Sequence, residues 1–174
     1  MSDILDVITS RRSIKDYKPD LPTKEDIERV ILAGIHAPSG KNLQSAIIIA
    51  ITNKEVRNKL SNALAKVRNL DNFDPFYGAP VVLAVLANKD VGTYVYDGSV
   101  VMENMLLEAH SLNLGACWIH GAKQVFETEV GKELLLSLGI SGNYEGIGHC
   151  ILGYPNTIPN NKPAKKDNYV YYVD

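Results

Sequence analysis

The stretch DGSVVMENMLLEAHSLNLGACWIHG, from Asp97 to Gly121, decides how the rest of the chain is read. Val100, Val101, Met105, Leu106 and Ala109 recur at helical spacing amid polar residues, which predicts a long helix over Asp97 to Leu112 with Gly115 just beyond its end. A strand over Ala116 to Ile119 follows at once. Trp118, the only Trp of the chain, stands at the end of that strand, and Gly121 beyond it lets a backbone N–H approach a flat ligand closely.

Working outward, three more apolar runs read as strands: Ala46 to Ile51, Val81 to Ala87 behind Pro80, and Gly148 to Leu152 closed by Gly153-Tyr154-Pro155. The first two are expected to be buried. Helical patterns cover Asp3 to Arg11 behind Ser2 or Asp3 as cap, a second segment capped by Thr23 that breaks at Ala37-Pro38-Ser39-Gly40, Lys54 to about Leu70, and Phe126 to Leu138. Pro155 to Asn168 has no core-forming pattern, and Tyr169 to Val173 alternates like an edge or partner-added strand. The organisation is α+β, a small sheet with helices wrapped around it, without the repeated βαβ period of a doubly wound fold.

The 174 residues suit one domain, 1–174, with 155–174 as an extended tail. A hydrophobic fraction of 45% and a charged fraction of 22% fit an ordinary globular protein. Formal charge is −2 with the basic residues dispersed, so no nucleic-acid partner is expected. No window reaches the roughly 20 apolar residues of a membrane span, and the start of the chain lacks the cationic opening of a signal peptide. A cytoplasmic location follows as the expectation. Cys117 and Cys150 lie far apart in apolar surroundings and read as buried thiols. His36, His110, His120 and His149 form no ligand-spaced cluster, so no metal is expected.

Two polar segments carry chemical potential. Arg11, Arg12, Ser13 and Lys15 place three cations and a hydroxyl within five positions, a set that can grip phosphate or stand as a solvated basic loop. Pro38, Ser39, Asn42 and Gln44 lie directly before a strand; amides that donate and accept suit a pyrimidine-like edge, and the same residues form turns. His120 admits the roles of base, ligand contact or passive loop residue, and without a neighbouring acid the passive role is preferred.

Together these segments resemble the nitroreductase family of flavin mononucleotide (FMN)-dependent oxidoreductases. Arg11-Arg12-Ser13-Ile14-Lys15 is similar to that family's Arg-Arg-Ser signature, Ala37-Pro38-Ser39 with Asn42 and Gln44 to its Pro-Ser-x-x-Asn-x-Gln segment, Gly115 to Trp118 to its Gly-x-x-Trp strand, and Leu152 to Pro155 to its Leu-Gly-Tyr-Pro. Ser45-Ala46 departs from the Pro-Trp that often follows the Gln, and Lys162, Lys165 and Lys166 stand where an Arg is common.

The resemblance implies a three-layer fold with a mostly antiparallel central sheet, and a homodimer in which the C-terminal tail strand is added to the partner's sheet. It implies non-covalent FMN, with Arg11, Arg12, Ser13, Lys15 and Lys165 at the phosphate and ribityl end. Pro38, Ser39, Asn42 and Gln44 would reach the ring from the other subunit, and Trp118, Ile119, His120 and Gly121 would line it, a backbone N–H near its N5 atom. NADH or NADPH would then donate hydride through the flavin to a small flat acceptor such as a nitroaromatic or quinone. The rival expectations are a non-catalytic FMN-binding or regulatory protein and a specialised flavin enzyme of the same fold.

Overall fold

The structure, a computed structural model, describes residues 3–161 and 163–174. Ser2, one of the two expected helix caps, and Lys162 lie outside the described residues. The elements run α1 (Ile4–Ser10), α2 (Lys24–Ile35), β1 (Ala46–Ile51), α3 (Lys54–Val67), β2 (Val81–Asn88), α4 (Tyr94–Ser111), β3 (Gly115–Ile119), α5 (Ala122–Glu127), α6 (Glu129–Ser137) and β4 (Tyr144–Gly153). The strands form one antiparallel sheet in the order β1-β2-β4-β3.

Alternation along the strands divides the apolar side chains between two faces. Val82, Ala84, Leu86, Ile119 and Ile151 pack on Leu60 and Leu64 of α3 and Val125 and Phe126 of α5. Val81, Leu83, Val85, Cys150 and Leu152 pack on Ile27 and Val30 of α2 and Met102, Met105 and Ala109 of α4. The result is the expected three layers, helix, sheet, helix. Because helices cover both faces, β2 is apolar and fully buried from Val81 to Ala87.

Four expectations are corrected. β1 is not a buried strand: it lies at the sheet edge, with Ala46, Ile47 and Ile48 only half covered and Ala50 exposed. The helix expected over Phe126 to Leu138 is two, because Thr128 turns extended at φ −74°, ψ 163° and caps α6 by accepting from Gly131 N–H at 3.4 Å. β4 begins at Tyr144 rather than Gly148, across a bulge opposite Val85/Leu86, and its start is pinned by Glu145 between Lys123 at 2.9 Å and Tyr94 OH at 3.1 Å. α4 starts three residues early, at Tyr94, so Asp97 sits inside its first turn rather than at its cap.

Tyr169 to Val173 form no strand in the single chain; Tyr172 and Val173 are 85% and 99% exposed. An alternating apolar segment left so open is suited to pairing with a sheet edge.

Candidate functional site

After α1 the chain extends along β3: Ser13 pairs with Ala116 in a parallel bridge, with Ile14 N–H donating to Ala116 C=O at 3.1 Å. Extended backbone alternates its side chains. Ile14 therefore enters the core, while Ser13 and Lys15 turn to the other side. Burial in the same core cluster as Ile14 raises the Cys117 thiol pKa, and the Ser13 hydroxyl and the charges of Lys15 and Arg11 oppose the rise. Lys15 Nζ also lies 5.4 Å from the Tyr77 ring centroid. Arg12 faces away. Its guanidinium donates to the carbonyls of Thr9 at 3.0 Å, Arg11 at 2.7 Å and Asn161 at 3.1 Å, which ties the basic segment to the tail.

The far end of β3 carries the ring-lining candidates. Trp118 lies on the α4 side, over Gly148, where a Cβ would meet its Nε1 at 2.5 Å. Ile119 is buried in the opposite face, and His120 is exposed. Gly121 adopts φ +100°, a left-handed conformation that suits glycine. Its N–H meets no acceptor among the described residues, although the residue is buried.

Pro38, Ser39, Asn42 and Gln44 lie elsewhere. Lys41, Asn42 and Gln44 all hold positive φ, at 51°, 54° and 48°. Strain of this kind persists only where surroundings enforce it. Ser39 Oγ accepts from Gln44 N–H at 3.0 Å, and Gln44 Nε2 donates to Asn42 Oδ1 at 3.1 Å. The buried Asp97 carboxylate supplies the anchor, accepting from Gly40 N–H at 3.0 Å, Ser45 Oγ at 2.7 Å and Thr93 Oγ1 at 3.1 Å. Burial alone would raise the Asp97 pKa; the bonds from Ser45, Gly40 and Thr93 outweigh it and hold it below the ordinary value.

The basic segment and this loop occupy diagonal corners. This loop leads into β1, while Ser13 lies outside β3, so at the usual strand spacing the four steps between them span about 19 Å. Along the sheet, Ala46 is level with Glu145 and Ala116 with Leu152, a further offset of about 20 Å. The basic segment runs beside β3, the strand that leads into the Trp118–Gly121 turn; the Ser39–Gln44 loop lies diagonally across the sheet from the basic segment and three strand steps, about 14 Å, from the strand that carries that turn. Lys165 is exposed on the tail.

The family model for the nitroreductase family matches residues 8–71 and 64–154. This chain belongs to the nitroreductase family. Among similar proteins of that kind, a candidate NADH dehydrogenase/NAD(P)H nitroreductase of Archaeoglobus fulgidus is 31% identical over 160 residues, covering 89% of this chain and 87% of its own. An NADPH-flavin oxidoreductase of Vibrio harveyi is 27% identical over 177 residues, covering 94% of this chain and 70% of its own. The crystal structure of a Bacteroides fragilis nitroreductase with bound FMN superposes with a TM-score of 0.88 at 25% identity, covering both chains fully.

Two side chains of this nitroreductase-family chain were not singled out from the sequence. Asp97 stood only for a helix start, and its spacing to Gly40 and Ser45 carries no local signal. Arg68, whose Nη2 donates to the His120 carbonyl at 2.6 Å, was one surface cation among many.

Proposed function

We propose that this chain works in the cytoplasm as a homodimer that passes hydride from NADH or NADPH, by a ping-pong route, to flat acceptors such as nitroaromatics and quinones. The chain is an FMN-dependent NAD(P)H oxidoreductase. One observation carries the reading: the Ser13–Ala116 bridge lays the cationic segment along the strand that ends in Trp118–Gly121, so phosphate-gripping and ring-lining groups share one edge of the sheet.

When bound, FMN would supply the hydride-transfer chemistry through its N5, so the protein needs no catalytic triad. The residues present fit such a group. Arg11, Ser13 and Lys15 hold the phosphate and ribityl end, with Lys165 arriving on the tail and Arg12 anchoring that tail while adding positive charge. Trp118 and His120 would line the ring, Ile119, its side chain buried in the core, would offer only its backbone, and the spare Gly121 N–H would be the donor to N5. Pro38, Ser39, Asn42 and Gln44, at the opposite corner, reach a ring held by the partner subunit, which makes the site a property of the dimer. The exposed Tyr169–Val173 segment pairs with the partner's sheet.

Purified protein should be yellow and dimeric, its flavin should be bleached by NAD(P)H, and in the absence of oxygen it should turn over NAD(P)H continuously only when a nitroaromatic or quinone is supplied. A bound flavin that neither nicotinamide reduces would establish a non-catalytic binding protein instead. Turnover confined to a single unusual substrate would establish a specialised enzyme of the same fold.

A further inference from the structure

Arg68 follows α3 as its C-cap residue, with its own N–H bonded to the carbonyls of Leu64 and Lys66. A cation there is favoured by the negative end of the helix dipole. Its side chain has a different engagement. Nη2 donates to the His120 carbonyl at 2.6 Å, and Nε and Nη2 lie 3.6 and 3.7 Å from the position a Cβ on Gly121 would take. Among the described residues no carboxylate approaches this guanidinium within 4.0 Å. Surface ion pairing therefore does not account for its placement.

The His120 carbonyl and the Gly121 N–H belong to the same peptide unit, which is planar and trans, so fixing one fixes the other in the opposite direction. Buried backbone N–H groups are nearly always paired, and this one, in a buried residue, has no acceptor among the described residues. Positive φ at Gly121 leaves the turn no side chain of its own to stiffen it, and Leu64 Cδ1 lies 2.7 Å from the Cβ position, closing the space on the α3 side. The charge-assisted bond to the carbonyl also polarises the peptide, which strengthens the N–H as a donor.

We propose that Arg68 is a positioning residue for the flavin: by holding the His120 carbonyl it aims the Gly121 N–H at N5. This rests on the FMN reading above and goes beyond it by naming what orients the donor. Arg68→Met removes the charge and the guanidinium N–H donors while keeping an apolar stem, and Arg68→Lys keeps the charge and ammonium donors on a single nitrogen.

Two readouts test it. In flavin-free protein, residual dipolar couplings report the direction of the Gly121 N–H; in protein loaded with nitrogen-15-labelled FMN, the N5 resonance reports the bond it accepts. In Arg68→Met, the Gly121 coupling should change while those of Ile119 and Phe126 hold, and N5 should move toward its free-FMN position. Arg68→Lys should fall between Met and the native residue, and it carries the same comparison should the Met variant not fold. An unchanged Gly121 coupling together with an unchanged N5 resonance overturns the proposal. If native protein leaves N5 as in free FMN, the flavin assignment of Gly121 fails, and the couplings in flavin-free protein still decide whether Arg68 orients the peptide.

Discussion

The Asp97 carboxylate and the Ser45 hydroxyl, 52 positions apart, meet in a buried hydrogen bond of 2.7 Å that fastens the start of β1 to the first turn of α4. Gly40 and Thr93 complete the grip, and the loop between, with its left-handed Lys41, Asn42 and Gln44, has no comparable anchor among the described residues. Asp97→Ala leaves three donors facing a void. Loss of unfolding free energy on the order of 2 to 4 kcal/mol follows from stranding buried donors, to be read from denaturant midpoints. Asp97→Asn, which can still accept from Gly40, should lose less. The pKa shift adds a sign: a carboxylate depressed in the fold stabilises above its unfolded pKa, and that contribution fades as pH falls through the folded value.

Arg11 and Arg12 should behave differently although adjacent. Arg11→Ala removes a charge from the Ser13/Lys15 side and should cost about 1.5 to 3 kcal/mol of FMN affinity, the range for hydrogen bonds to charged groups, while leaving riboflavin affinity nearly unchanged. Arg12→Ala frees the Asn161 carbonyl and should cost less, on the order of 1 kcal/mol. Fluorescence titration of both ligands against both variants checks this, and equal losses at the two positions would contradict the opposed facing of their side chains.

His149 predicts acid sensitivity. It is fully buried beside the rings of Phe76 at 5.1 Å and Phe126 at 6.2 Å, and among the described residues neither ring nitrogen has a hydrogen-bond partner. Burial lowers its pKa to about 4, with the charges of Arg68 and His120 adding to the shift and the Ile119 backbone opposing it. The unfolded chain therefore binds the proton first. Stability should fall as pH drops from about 6.5 and reach a loss of about 2 to 3 kcal/mol near pH 4.5. Urea midpoints at neutral and acid pH should show this slope in the native chain and a shallower one in His149→Leu.

Gly148→Ala should disturb Trp118, since the added methyl would meet its Nε1 at 2.5 Å and Cε2 at 2.8 Å. Overpacking of this kind costs about 1 to 3 kcal/mol. As Trp118 is the only tryptophan, its fluorescence reports the displacement directly. An unshifted emission spectrum with native stability would show that the ring moves aside freely.

Removal of residues after Tyr154 should weaken both dimer and flavin binding, because it takes away the tail strand and Lys165 together. The tail is held in the single chain by few bonds, among them Asn156 Nδ2 and Thr157 Oγ1 to Asp16 at 3.1 and 2.6 Å, and its last residues are open to solvent. Sedimentation and FMN titration measure the two effects. A truncated protein that dimerises and holds FMN as tightly as the full chain would refute the role given to the tail.

Local rules settled much in advance. Ala46 to Ile51 is a strand in both readings, Thr23 caps its helix by accepting from Asp26 N–H at 3.1 Å, and the family motifs fall in loops and strand ends as their residue types require. Such features depend on a few neighbouring residues, so a sequence alone determines them. The break at Thr128 and the early start of β4 depended instead on packing: Gly131 lies against the backbone of Val125 and Phe126, and Gly146 against that of Ala122, glycines that read as strand or helix breakers until another chain segment fills their missing side chains. Only the tertiary structure decided which groups meet. Ser13 beside Ala116, Asp97 beneath Gly40, and Arg68 on the His120 carbonyl join residues far apart in the chain, and the diagonal separation of the Ser39–Gln44 loop from the basic segment follows from the strand order. Such pairings are set by which faces the helices and strands bury together, and no local pattern of residues encodes that partner choice.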